Sequence, residues 1–180
     1  MIEGEKLILI PLDSVQLVKF IQSNNMLETE LGLHESKEIM SDDLKEALEV
    51  DILPSVADSD KDYLYYTLWI AIDENENRIV GNICLKGEPN DDGEVEIGYG
   101  IYDEFQNKGY MTEIVAIMIE WLSKRPEIKL ITAFTEKDNI PSMRVLEKNM
   151  FARSGEKDEL MYWTLQMKKW SNTKAIEQNG

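Results

Sequence analysis

A single cysteine and a single histidine in 180 residues remove several chemistries at once. With Cys84 alone there is no internal disulfide, and such a chain fits a reducing, cytoplasmic home. A thiol nucleophile would need His34 as its base, and Cys84 falls in an apolar stretch, so it reads as a core residue. No apolar run is long enough to span a bilayer. The first residues, Met-Ile-Glu-Gly-Glu-Lys, lack the basic-then-apolar pattern of a signal peptide. Positive charge is scarce: 19 Lys and Arg face 35 Asp and Glu, a net charge of −16. That argues against a nucleic-acid partner, which needs a basic patch. It suits attraction to a cationic substrate, or simple solubility. Hydrophobic residues make up 43% of the chain, enough for an ordinary globular core. We expect one domain over residues 1–170 and a polar tail over 171–180, with no internal repeat.

What is present is organised around residues 94–121. Val95, Ile97 and Tyr99 alternate with Glu94, Glu96 and Gly98, the period of a strand. A polar loop with one glycine follows. Then Ile114, Met118 and Trp121 form one helical stripe and Val115, Ile119 and Leu122 the next, a helix buried on most of its girth. Strand, loop and buried helix leave free N–H groups at the loop and helix start, where the helix dipole favours phosphate.

Upstream, residues 6–12 read as a strand stopped by Pro11. Asp13 or Ser14 caps a helix with Val15, Leu17, Val18, Phe20 and Ile21 as its apolar positions. Residues 24–41 show no clear period and read as a loop able to shape an acceptor pocket; a lone loop histidine such as His34 is usually neither ligand nor base. Ser41, Asp42, Asp43 and Leu44 open a second helix, which Pro54 ends. Residues 65–72 and 78–86 form a hairpin that leads into the strand at 94–102, an antiparallel meander. Gly81 marks a bulge or close packing. Residues 129–134 form a strand parallel to 94–102 through a right-handed crossover. Asn139 caps another helix, with Pro141 in its first turn. Residues 160–167 are the last strand, paired with a short one near 151–154.

The loop Gln106-Asn107-Lys108-Gly109-Tyr110-Met111 resembles the Gln/Arg-x-x-Gly-x-Gly/Ala loop of the GNAT superfamily of acyl-CoA-dependent N-acyltransferases. Met111 stands where that family usually has Gly or Ala. Residues 138–151 resemble the Asp/Asn-Asn-x-x-Ser-x-x-Val-Leu-Glu-Lys-x-Gly-Phe signature of its ribosomal-protein N-acetyltransferase (RimJ/RimL-like) branch. Asn139, Ser142, Val145, Leu146, Glu147, Lys148 and Phe151 match; Met150 replaces the glycine, and Asn149 is the residue expected to take the left-handed turn instead. Glu-Ile-Gly-Tyr at 96–99 is the third motif, in the right order.

The resemblance implies an α/β fold whose mixed central sheet splays between the strands at 94–102 and 129–135, with flanking helices, and with Gly98 and Gly100 in a bulged strand. It implies acetyl-CoA as cosubstrate, its pyrophosphate held by Gln106, Asn107, Lys108, Gly109, Tyr110, Met111 and Thr112. Backbone groups near Ile101 and Tyr102 would pair with the pantetheine amides, and Asn139, Ser142 and Lys148 would complete the site. The expected reaction is direct attack of a primary amine, of a protein N-terminus or a small molecule, on the acetyl thioester. No metal is required. Glu96 is the candidate general base and Glu94 its alternative; both also read as solvent-face carboxylates. Many GNAT enzymes carry a tyrosine where Leu146 stands, so Ser142 is the candidate partner of the leaving sulfur. The alternative function is a catalytically silent acyl-CoA-binding module. Expected partners are acetyl-CoA and an amine, which the net charge suits to be cationic, with neither nucleic acid nor membrane, in a monomer or homodimer.

Overall fold

The computed structural model describes residues 1–22, 24–168 and 170; the tail expected at 171–180 lies outside them. The strands are β1 (Ile2–Glu3), β2 (Leu7–Pro11), β3 (Leu68–Asp73), β4 (Arg78–Leu85), β5 (Glu94–Ile101), β6 (Leu130–Glu136), β7 (Ala152–Lys157) and β8 (Leu160–Gln166). They form one sheet in the order β1-β2-β3-β4-β5-β6-β8-β7. The expected meander is present: β3, β4 and β5 pair antiparallel in succession. The helices are α1 (Ser14–Gln22), α2 (Met26–Leu31), α3 (Asp42–Ala47), α4 (Leu53–Ala57), α5 (Tyr110–Ser123) and α6 (Ile140–Lys148). Among the described residues no helix is long and apolar enough to cross a membrane.

The split in the sheet follows from its register. β5 runs parallel to β6 only through Glu94, Val95 and Glu96, opposite Leu130, Ile131 and Thr132. The Gly93 carbonyl accepts N–H bonds from Lys129 and Leu130, which pins the strands at that end. Beyond Glu96 the two diverge: β5 stays with β4 as far as Ile101, and β6 stays with β8 as far as Glu136. Bonds to β4 use alternate residues of β5, with Glu96 accepting from Lys86 and Tyr102 donating to Val80. Tyr99 and Ile101 therefore turn their N–H and C=O groups toward the side that β6 has left.

Helix α5 fixes one face. Met111, Ile114, Val115, Ile117, Met118, Ile119 and Leu122 are all buried, and the helix packs on β2, β4 and β5. Each such side chain contributes roughly 1.5–3 kcal/mol through burial, so the loop that opens this helix stands on a firm base. Trp121 meets Trp69 edge-on at 5.2 Å, and the Arg125 guanidinium lies 3.2 Å from the Trp121 ring centre.

Several expectations change. Residues 24–41 contain α2, six residues bounded by left-handed Asn25 and Gly32. Pro54 does not end the second helix. A π turn over Leu48–Ile52, with the Leu53 N–H bonded to Leu48 O, joins α3 to α4. The wider turn places Pro54 in the first turn of α4, where its missing N–H costs nothing. β3 starts at Leu68, after a short 3-10 turn at Tyr63–Tyr65. β7 extends to Lys157, longer than the stub expected near 151–154. No bulge occurs at Gly98 or Gly100, whose pairing with β4 is regular. The shift lies instead between β3 and β4, where Ala71 pairs with Gly81 and Ile72 with Ile79. Gly81 is also the close approach: a Cβ there would lie 2.5 Å from Gly100 O.

Candidate active site

A cleft of about 510 Å³ opens where β5 and β6 part, between the start of α5 and the start of α6. Its floor is the backbone of Tyr99, Gly100 and Ile101; Gln106, Asn107, Gly109, Tyr110, Met111 and Thr112 form one wall, and Asn139, Ser142 and Lys148 the other.

The first wall is built for an anion. Asn107 and Gly109 are left-handed, at φ 60° and 88°. Two left-handed residues curl the backbone so that its N–H groups converge. Among the described residues, the N–H groups of Asn107, Lys108, Gly109, Tyr110 and Met111 donate to no protein acceptor. The fourteen-residue α5 adds the positive end of its dipole. A Cβ on Gly109 would meet nothing within 4 Å, so the space in front of it is open to a ligand. Met111 does not block this, because its side chain is packed in the core. Tyr110 anchors the turn: its hydroxyl donates to Asp73 Oδ2 at 2.6 Å, which raises the phenol to about 12. The Gln106 amide is held by Asp103 Oδ1 at 2.8 Å.

The second wall is the N-terminus of α6. Asn139 Oδ1 accepts the Ser142 N–H at 3.1 Å, the expected cap. Ser142 Oγ lies 2.9 Å from the Tyr99 hydroxyl. Burial pushes that phenol up to about 12, so it stays neutral, and either hydroxyl can be the donor of this bond. Leu146 is fully buried below, confirming that no tyrosine reaches the cleft from that position.

The two candidate carboxylates differ. Glu94 Oε1 accepts the Tyr162 hydroxyl at 2.7 Å. The Glu96 carboxylate has no hydrogen bond among the described residues. Burial raises its pKa, opposed by the Lys86 ammonium and reinforced by Glu94. Both lie on the face of β5 opposite Val95, Ile97 and Tyr99. An amine arriving there reaches the split from the other side of the sheet.

Most of the sequence-derived residues thus meet in one place. Glu96 and Lys108 do not line the cleft, nor does Tyr102, whose N–H is taken by Val80 and which lines a separate hollow on the far face. Tyr99 and Arg144 are the residues that sequence reading missed. Arg144 lines the cleft one turn before Lys148, a spacing of four that puts both cations on one helix face. Tyr99 shares its face with Ile97, but nothing local announces its partner 43 residues away. His34 is structural: Nδ1 bonds Glu76 O at 3.0 Å. Cys84 is buried, and burial raises its thiol.

The model of the acetyltransferase (GNAT) domain family matches residues 7–152. The chain is similar to two uncharacterized N-acetyltransferases of Bacillus subtilis (strain 168). It is 33% identical to YjdG over 95 residues, covering 53% of this chain and 56% of that protein. It is 37% identical to YnaD over 60 residues, covering 33% of this chain and 35% of that protein. The chain therefore spans about half the length of the first relative and a third of the second. Among solved structures, the ribosomal-protein-S5-alanine acetyltransferase from Vibrio fischeri superposes with a TM-score of 0.68 at 20% identity, covering 93% of this chain and 97% of that one. The spermidine N-acetyltransferase from Vibrio cholerae, in complex with CoA and spermine, gives 0.65 at 17%, covering 94% and 100%. At these identities the structural likeness is one of fold.

Proposed function

Because the chain belongs to the GNAT acetyltransferase family, we propose that it transfers an acetyl group from acetyl-CoA to a primary amine. The observation that carries this reading is the run of undonated N–H groups from Asn107 to Met111 at the mouth of a split sheet. The run suits a pyrophosphate, and Lys108, Arg144 and Lys148 add positive charge beside it. The free backbone of Tyr99 and Ile101 suits the pantetheine amides, and one of these N–H groups would polarise the thioester carbonyl. The signature at 138–151 supports placement in the ribosomal-protein N-acetyltransferase-like branch. Buried Cys84, without a disulfide partner, supports a cytoplasmic setting.

In the proposed reaction the acceptor approaches Glu96 as an ammonium. Glu96, directly or through water, takes a proton, and the neutral nitrogen attacks the carbonyl carbon. The C–S bond breaks and the electron pair leaves on sulfur, where the Ser142 hydroxyl donates a hydrogen bond; the second proton shed by the nitrogen passes through water to the thiolate, which gives the amide and the CoA thiol. Glu96 serves better than Glu94 because Tyr162 already occupies Glu94. The acceptors named for the two fold neighbours, a ribosomal-protein alanine and spermidine, are both amines compatible with this attack.

The test is CoA release from acetyl-CoA, followed with a thiol reagent across a panel of amines and peptide N-termini, beside calorimetry with CoA. Amine-dependent release is expected. CoA binding without release for any acceptor identifies a silent acyl-CoA-binding module, and no CoA binding removes the reading altogether.

A further inference from the structure

A second hollow, of about 200 Å³, opens on the opposite face of β5. It shares Gly100 and Ile101 with the cleft, so the two stand back to back across one strand. Its polar lining includes Glu28, Glu38, Asn82 and Tyr102 beside uncharged Asn and Ser residues, and no Lys, Arg or His lines it. Glu28, on α2, is only 8% exposed. Its carboxylate has no hydrogen bond or ion pair among the described residues. Among the described residues no fully buried side-chain oxygen lacks a partner, so the Glu28 carboxylate opens into the hollow, where a cation would supply its countercharge. Glu38 faces the same space, with its carboxylate held only by a 3.4 Å bond from the Asp103 N–H. Both carboxylates, after burial itself, push up the Tyr102 hydroxyl between them.

We infer that this hollow is a cation subsite of the acceptor site, in which Glu28 and Glu38 hold a second ammonium of a diamine or polyamine acceptor. The inference rests on the acetyl-transfer reading. Gly100 lies on the same face of β5 as Gly98, two residues or about 7 Å along the strand, so a reacting nitrogen beside Gly98 and a charged end in the hollow at Gly100 are joined by a chain of about four methylenes. The volume, against about 30 Å³ per water, holds such an alkylammonium end with little room beyond it.

The test compares kcat/KM, by CoA release at fixed ionic strength, for 1-aminobutane, 1,4-diaminobutane, spermidine and a peptide with an uncharged N-terminal segment. Parent, Glu28→Gln and Glu38→Gln proteins are used, with folding checked by circular dichroism. The parent is expected to prefer the diamine or spermidine over 1-aminobutane at least tenfold. Each substitution is expected to narrow that ratio, mainly through KM. A parent ratio near one, a peptide used better than every diamine, or a ratio that survives both substitutions overturns the subsite. If neither variant folds, the parent ratio decides. Calorimetry of 1,4-diaminobutane with the CoA-loaded protein needs no turnover. Diamine binding that Glu28→Gln weakens, without acetylation of any amine, defeats the acetyl-transfer reading and not the cation site. Acetylation of 1-aminobutane without diamine preference does the reverse.

Discussion

Replacing Tyr99 by phenylalanine removes one oxygen and keeps the ring, and it asks how the leaving sulfur is stabilised. The Tyr99 hydroxyl lies 2.9 Å from Ser142 Oγ. Each hydroxyl has one proton. If Tyr99 donates to Ser142, the serine proton is free to point into the cleft at sulfur; if the serine donates to Tyr99, it is not. At about 12, the buried phenol keeps its proton at any working pH. Handing that proton to a thiolate, whose acid has an ordinary pKa of about 8.5, runs roughly three orders of magnitude uphill. Tyr99 therefore orients Ser142 and does not protonate the product. Ser142→Ala removes a hydrogen bond to an anion, about 1.5–3 kcal/mol, or about 10- to 150-fold in rate. Tyr99→Phe removes a neutral bond, about 0.5–1.5 kcal/mol, or about 2- to 12-fold. In the double variant the tyrosine has nothing left to orient, so the rate should equal that of Ser142→Ala alone. Single-turnover consumption of acetyl-CoA at saturating amine isolates the chemical step. Effects that multiply in the double variant refute the orienting role, and a full rate in Ser142→Ala removes the sulfur partner.

Glu96→Gln is expected to lower kcat/KM at neutral pH by roughly 10²–10⁴-fold and to abolish the acidic limb. The parent's limb lies above the usual carboxylate range, because burial raises Glu96 and the active form is lost as pH falls through that raised value. The same raised value means that ionised Glu96 opposes folding once pH exceeds it, so the variant should melt no lower than the parent at pH 7; equal turnover of the two at every pH removes the base. Gly109→Val, at φ 88°, meets no protein atom, yet it strains the turn and crowds the open space before it. CoA affinity by calorimetry should fall at least tenfold with the fold retained, the loss of one charge-assisted bond of about 1.5–3 kcal/mol; unchanged affinity takes the loop out of the site. Met150→Gly should raise stability by about 0.5–1 kcal/mol, since a non-glycine left-handed residue costs about 1–2 kcal/mol and glycine returns part of that as chain entropy; a lower denaturant midpoint would show that the Met150 side chain contributes more than the strain.

That last position shows how far a local rule reaches. The motif places a glycine at 150, and Asn149 is the natural candidate to take over its left-handed turn. Instead Met150 adopts φ 65°. The Phe151 N–H bonds Leu146 O and the Met150 N–H bonds Glu147 O, the paired bonds of a Schellman ending. That geometry fixes which residue must be left-handed, and Asn149 is occupied elsewhere, its amide donating to Thr112 O and Val145 O. Tertiary bonding thus decides where the strain sits. Helix α2 escaped for another reason: fewer than two turns cannot display a 3.6-residue period, and its ends are set by left-handed Asn25 and Gly32 without a side-chain cap. β8 and the start of β5 were legible because their burial alternates, β3 and β4 because they are mostly apolar runs, and α5 because fourteen residues display its buried stripes.

The site divides along the same line. Its phosphate-facing wall is made of backbone N–H groups whose direction is set by residues 106–112 themselves, so a short motif suffices to find it. Substituting Met for Gly or Ala at 111 leaves it intact, because the donor is the main chain and the side chain turns into the core. The far wall is assembled from α2, the segment at 36–44, β4 and the end of β5, drawn from positions up to some eighty residues apart. Glu28 reads in sequence as an ordinary carboxylate of a polar stretch. Only the fold, which brings Glu28 of α2 to one hollow with Asn82 and Gly100, covers it and leaves it unpaired. In the proposed reaction the cosubstrate would meet local backbone geometry, whereas the acceptor would meet side chains that long-range packing brings together. Family motifs therefore locate the cleft, and the structure is needed to find the hollow behind it.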